Sequence, residues 1–313
     1  DDLRRVEDKM RFVGSEAYAP LADAFLQIIR SGGKRLRPAL ALASFGLFAQ
    51  PVSDRAVSMA AAIETLHTAT LVHDDLIDGA LLRRGISTLN AMWNKGATVL
   101  AGDYMFARAA GLAAETENVP VIQLFADTLR TICEGELRQL FTSHQWTQPK
   151  EAYYQRIFAK TASLFAAATR SGAILAGASP EEEAAMAEYG EQVGMAFQVV
   201  DDVLDYSGDE STLGKPVGGD LRQGIATLPF FYFVQSLDGA GSLLSALEHK
   251  TNGDGDSIAE VVAQVRNSGA IARSLDEAHQ FVFRAKDRLS VVPDGALKDA
   301  LHNLADYVIA RHS

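Results

Sequence analysis

The chain has 313 residues, 48% of them hydrophobic, with 29 Lys and Arg against 40 Asp and Glu and a net charge of -11. That length can bury a sizeable core, whereas so acidic a balance argues against a nucleic-acid surface, and no nucleic-acid partner is expected. The single cysteine, Cys133, excludes an internal disulfide framework, and no apolar run reaches the length of a membrane span. The expectation is a soluble cytoplasmic protein with Cys133 in its core.

Apolar residues recur at helical spacing far more often than they alternate, and Ala, Leu, Glu and Arg fill the long segments. This predicts an all-α protein, a single large helical bundle around a central cavity, with one domain over residues 1–313. No linker is long enough to divide it, and Gly239 to Gly241 and Asn252 to Gly255 read as loops.

In chain order, a helix from Ala22 to Arg30 stops at Gly32-Gly33. Lys34, Arg35 and Arg37 follow, so two glycines that free backbone N–H groups to approach an anion stand directly before three cations. That is phosphate-binding material, unless it is only a helix end with solvated charges. Pro51 to Asp54 mark the start of a helix near 59–78, which carries Leu66, His67, Ala69, Thr70 and the acidic run Asp74-Asp75-Leu76-Ile77-Asp78. Asp74 and Asp78 are four residues apart, share a helix face, and repel unless a cation lies between them. Hard oxygen ligands of this kind suit Mg2+. A solvated helix face is the plain alternative, but Leu71, Val72, Leu76 and Ile77 are residue types that usually lie inside, where an uncompensated carboxylate is expensive. Arg83-Arg84-Gly85 stands close enough beyond Asp78 for guanidinium forks to take diphosphate oxygens.

Further along come Lys160-Thr161 and then Ser179-Pro180-Glu181-Glu182, which combines an N-cap serine, a proline at the first helical position and a glutamate at the third. The helix it opens, near 184–206, carries Phe197, Gln198 and the second acidic run, Asp201-Asp202-Val203-Leu204-Asp205. Lys215-Pro216 and Gly218-Gly219-Asp220 follow. In a helical bundle, aspartates from two such helices can project into one cavity.

Five ordered motifs, GGKRLRP at 32–38, LVHDDLIDGALLRRG at 71–85, KTASLF at 160–165, FQVVDDVLDYSGD at 197–209 and GKPVGGDLRQGIATLP at 214–229, resemble the trans-isoprenyl diphosphate synthases, also called polyprenyl synthetases. The resemblance implies an isoprenoid-synthase-type bundle, acting as a homodimer. Its reaction would condense isopentenyl diphosphate with an allylic diphosphate such as farnesyl or geranylgeranyl diphosphate, with Mg2+, three ions once substrate is bound. It assigns Asp74 and Asp78 to Mg2+ on the allylic diphosphate and Asp201 to a further Mg2+, with Asp75, Asp202 and Asp205 in support. Arg83, Lys160 and Lys215 resemble allylic-diphosphate ligands, and Lys34, Arg37, His67 and Arg84 the isopentenyl diphosphate pocket. Thr161 and Gln198 resemble the polar groups facing the allylic carbon chain, and Phe197 one that flanks the homoallylic substrate.

By the same resemblance, bulk at the fifth and fourth positions before Asp74 limits product growth, and here those positions are Ala69 and Thr70. With Leu66 and Ile63 roughly 12 and 16 Å further down the helix, and no aromatic floor, a product of roughly C30 to C50 is expected. Weak membrane association would then serve product release. A short-chain farnesyl or geranylgeranyl diphosphate synthase is the alternative. A class I terpene cyclase should lack the second aspartate run and the GGKRLRP segment, and a non-catalytic subunit should have lost aspartates that are all present. Ile225 departs from the pattern, standing where many relatives have lysine.

Overall fold

A computed structural model of the chain describes residues 2–11, 18–30, 33–83, 85–207, 217–237, 241–249 and 255–310. Gly32, Arg84, Lys215, Pro216 and most of the two loops expected near 239–241 and 252–255 lie outside them. Among the described residues the chain is all-α, and its strand pairing is one two-residue hairpin, β1 (Leu82–Arg83) with β2 (Ile86–Ser87). No helix among them is long and apolar enough to cross a membrane. The chain divides into two compact units, residues 1–129, 164–187 and 291–298 in one and 130–163, 188–290 and 299–313 in the other.

The first unit is built on α4 (Asp54–Ile77), packed by α1 (Asp2–Arg11), α3 (Leu36–Phe48), the short α5 (Leu89–Met92) and α6 (Lys95–Ala114), with α2 (Ala19–Arg30) against α1. Ser53 caps α4, its hydroxyl accepting the Ala56 N–H at 3.2 Å. The helix is apolar on nearly every side, and such a helix is stable only when covered all round. Ala60, Ala61, Ala62, Ile63, Leu66 and Ala69 are accordingly fully buried. Gly102 lets α6 close on α4, since a Cβ there would lie 2.2 Å from His73 Nε2. Within the same unit, Ser44 of α3 donates to the Thr169 carbonyl of α9 (Ser163–Ala176) at 2.5 Å.

Arg35, one of the three cations grouped as phosphate-binding, is instead structural. It takes a left-handed φ of 48°, and its guanidinium donates to Glu64 at 2.9 Å, Glu7 at 3.3 Å and the Ile29 carbonyl at 2.9 Å. A strained, non-glycine residue persists when its surroundings over-determine it, and three partners do that here.

The second unit contains the C-terminal half of α7 (Val119–Thr142), α8 (Lys150–Ile157), the later turns of α10 (Pro180–Ser207), α11 (Gly219–Arg222), α12 (Leu228–Gln235), α13 (Gly241–His249), α14 (Gly255–Asn267), α15 (Ala270–Arg288) and most of α16 (Ala296–Ala310). Its core centres on the buried rings of Tyr153, Tyr189, Tyr206 and Phe230. Each buried hydroxyl finds a partner, as Tyr189 does in the Leu301 carbonyl at 2.8 Å. At the start of α10 the predicted cap forms in full: Ser179 accepts the Glu182 N–H at 3.3 Å, and Glu182 accepts the Ser179 N–H at 2.8 Å. Cys133 corrects the sequence expectation, because its position on α7 is exposed rather than in the core.

Candidate active site

Both acidic runs fall at the C-terminal ends of long helices, as the spacing predicted. In the first unit Asp74 is half-buried, Asp75 buried, and Asp78 exposed at the C-cap of α4, its N–H bonded to the Asp74 carbonyl at 2.8 Å. Ile77 is 50% exposed, so the apolar setting of this run is thinner than its composition suggested. Arg83, on the hairpin that follows, donates through Nε to Asp75 Oδ1 at 2.8 Å. Burial holds the Asp75 carboxyl above the usual carboxylate range, and the Arg83 charge pulls it partly back. Arg83 is thus tied to the buried middle aspartate, while Asp78 stands exposed at the helix end.

One helical turn and two turns before Asp74 stand Thr70 and His67, both half-buried, with Thr70 Oγ1 donating to the His67 carbonyl at 2.7 Å. Ala69 and Leu66 differ, being wholly buried, so of the chain-length positions only Thr70 is half-exposed on the aspartate face. Lys34 is exposed just before α3, and the Arg37 guanidinium lies 4.6 Å over the Phe165 ring.

In the second unit, Lys160 and Thr161 sit on a π-helical turn, Phe158–Ala162, inserted between α8 and α9. Such turns add a residue to the helix, re-aim its side chains and are frequent at functional sites. The turn is pressed against α7 at Gly135, where a Cβ would come 2.5 Å from that of Ala159. Next to that glycine, Glu136 receives the Lys160 ammonium at 2.9 Å. Thr161 is buried and donates to Gln198 Oε1 at 2.6 Å, and Gln198 Nε2 donates to Asp202 Oδ1 at 2.8 Å. Phe197 is half-buried beside Gln198.

The second acidic run divides as the first does. Asp201 is exposed and Asp202 buried. Burial pushes the Asp202 carboxyl up to about 7, against hydrogen bonds from Gln198 and Tyr153 that pull it down. Asp205 accepts the N–H groups of Gly219 at 3.1 Å and Asp220 at 3.0 Å, and so holds the turn into α11. Ile225 closes that turn through its backbone, donating to the Asp220 carbonyl at 2.9 Å.

Sequence reasoning missed Glu136 and Tyr153. Neither lies in an acidic or glycine-rich pattern, and their roles arise from side-chain contacts with residues 24 and 49 positions away.

Among the described residues no three Asp, Glu, His or Cys gather into a cage for a metal ion. The chain offers outward carboxylates at the ends of two helices. That donor set fits a hard divalent cation, which oxygen ligands suit and which carboxylates hold together with waters and phosphate oxygens.

Residues 19–265 match the polyprenyl synthetase family model. The chain is 37% identical over 308 residues to the heptaprenyl diphosphate synthase component 2 of Geobacillus stearothermophilus, covering 98% of this chain and 95% of that one. It is 38% identical over 284 residues to the all-trans-nonaprenyl-diphosphate synthase (geranyl-diphosphate specific) of Rhodobacter capsulatus, covering 91% and 87%. Its structure resembles a polyprenyl synthase from Caulobacter crescentus solved with calcium and isoprenyl diphosphate, with a TM-score of 0.89 and 36% identity over 100% of this chain and 94% of that one. The family match runs through both aspartate-bearing helices, the π turn between them and the Gly218–Asp220 turn, and on it the chain belongs to the polyprenyl synthetase family.

Proposed function

We propose that the chain, as one synthetase domain, condenses isopentenyl diphosphate with an allylic diphosphate and repeats the step to a long all-trans polyprenyl diphosphate. The observation that carries this reading is the pair of helix-end aspartate runs, each with its middle carboxylate buried and one exposed carboxylate beside it, Asp78 and Asp201, in a chain of this family. The names of its relatives, heptaprenyl and nonaprenyl synthases, support a long product.

In this reading Asp74 and Asp78 would hold Mg2+ and Asp201 a further Mg2+, and the metal would supply positive charge to the diphosphate oxygens. Arg83 and Lys160 add fixed cations to the allylic diphosphate, and Lys34, Arg37 and His67 hold isopentenyl diphosphate. The allylic C–O bond breaks with its electron pair leaving on the diphosphate. The isopentenyl alkene closes a new C–C bond on the allylic carbon, and a proton then passes to the departed diphosphate. Groups aimed at that anion stabilise the transition state more than the ground state, so no protein nucleophile is required. The Thr161 and Gln198 oxygens face the developing cation.

Incubating the pure chain with Mg2+, isopentenyl diphosphate and farnesyl diphosphate, then resolving dephosphorylated products by length, tests the reading. Products well beyond geranylgeranyl length support it. Arrest at farnesyl or geranylgeranyl length keeps the reaction and removes the long-chain assignment.

The similarity to a protein named as one component of a synthase favours a second reading, in which this chain needs a partner subunit. A pure chain inactive on every allylic primer, and active on adding such a partner, would establish it. For the chain alone we propose a homodimer, supported by Leu137, Leu140 and Phe141, exposed by 54%, 47% and 79% on one strip of α7. An apolar strip of that kind is what a partner covers.

A further inference from the structure

Tyr153, on α8, is fully buried, and its hydroxyl donates to Asp202 Oδ2 at 2.8 Å. The other Asp202 oxygen accepts Gln198 Nε2 at 2.8 Å, and Gln198 Oε1 accepts Thr161 Oγ1 at 2.6 Å. These are four side chains in one line, and each has a single assignment. Asp202 accepts from Tyr153 on one oxygen and from Gln198 on the other, so the amide turns its NH2 to Asp202 and its carbonyl to Thr161. Thr161 then spends its one hydroxyl proton on Gln198, which leaves its lone pairs for whatever lies on its other side. The Tyr153 ring has little freedom to move away, being packed by Tyr154 at 5.5 Å and Phe231 at 6.0 Å, with the Arg156 guanidinium 5.4 Å from its centroid.

We propose that Tyr153 is a positioning residue: through Asp202 and Gln198 it sets the proton direction of Thr161, so that Thr161 presents an acceptor oxygen to the allylic carbon that develops positive charge. The inference rests on the prenyltransferase reading above. Without the Tyr153 hydroxyl the Asp202 carboxylate can rotate until Oδ1 leaves Gln198 Nε2, and an amide released from that acceptor can flip. A flipped amide would donate to Thr161 and turn the Thr161 proton toward the cation, which opposes the charge it should stabilise.

The test is a double-mutant cycle on the full chain with farnesyl and isopentenyl diphosphates and Mg2+, using wild type, Tyr153→Phe, Thr161→Val and the double variant. Tyr153→Phe should lower kcat about tenfold, as loss of a supporting hydrogen bond behind a functional group commonly does. KM for both substrates should stay within about twofold. In the Thr161→Val background Tyr153→Phe should have no further effect on kcat, whereas a merely structural loosening would lower it by the same factor in both backgrounds. An unchanged kcat in Tyr153→Phe, or a loss that persists undiminished beside Thr161→Val, overturns the proposal while leaving the prenyltransferase reading intact. A wild type that elongates no primer overturns the reading and the proposal together. If Tyr153→Phe does not fold, Tyr153→Phe with Asp202→Asn, which removes the buried charge along with its donor, takes its place in the cycle under the same criteria.

Discussion

Within each acidic run the fold separates a buried carboxylate held by side-chain donors from an exposed one. Asp75 and Asp202 are buried and engaged by side-chain donors, and Asp205 anchors a backbone turn, while Asp78 and Asp201 are exposed. Asp201→Asn should therefore lower kcat about 10²- to 10³-fold, as loss of one electrostatic stabiliser does, with a melting temperature near that of wild type. Steady-state kinetics beside a thermal melt checks both halves. Arg35 shows the opposite balance. Its pair with Glu64 is nearly dry, with side chains 12% and 6% exposed, and removing one partner strands a buried charge. Arg35→Met should lower stability by about 3–5 kcal/mol in chemical denaturation. Glu115 gives a pH signature: burial raises its carboxyl, but hydrogen bonds from Lys9 and Ser58 outweigh that and leave it below its ordinary value of 4.5. A carboxyl lowered in the folded state adds stability above the unfolded value and loses it as pH falls through the folded one. Denaturation across pH should show a Lys9→Met deficit that is full at neutral pH and shrinks below 4.5. That Asp74 and Asp78, and Asp201 and Asp205, stand one turn apart at a helix end was legible from spacing alone. Arg35 was misread because charge type and position do not reveal which cation finds a buried acid 29 residues away.

At the scale of elements, α10 followed from its cap chemistry, down to the reciprocal Ser179 and Glu182 bonds, whereas α4, apolar on nearly every side, was marked by its Pro51 to Asp54 start and its composition. The π turn at Phe158–Ala162 did not, because five residues carry no period and the extra residue is stabilised by what packs on it. Gly135 is the main such contact. Gly135→Ala forces a Cβ against Ala159 and should lower stability by about 1–3 kcal/mol in chemical denaturation. By moving Lys160 away from its Glu136 partner it should also raise KM for the allylic diphosphate. Cys133 likewise belongs here: it lies on the exposed side of an amphipathic helix, and a lone small residue says little about which face it joins.

For the whole molecule, product length and oligomeric state can each be moved by one substitution. Ala69→Phe should shorten the product set in the elongation assay, and because Ala69 is fully buried it should also destabilise the chain by about 1–3 kcal/mol. Phe141→Asp should shift the chain toward monomer in size-exclusion light scattering, since a carboxylate on an apolar strip opposes its burial. The amino-acid sequence by itself determined the all-helical class, the family and the two aspartate runs at helical spacing, because helical period, capping chemistry and the spacing of like charges are local properties. Only tertiary structure decided which aspartates are buried, that Lys160 is held by Glu136, and that Tyr153 stands behind Thr161. Those depend on contacts between residues far apart in the chain, where packing rather than local pattern selects the partner.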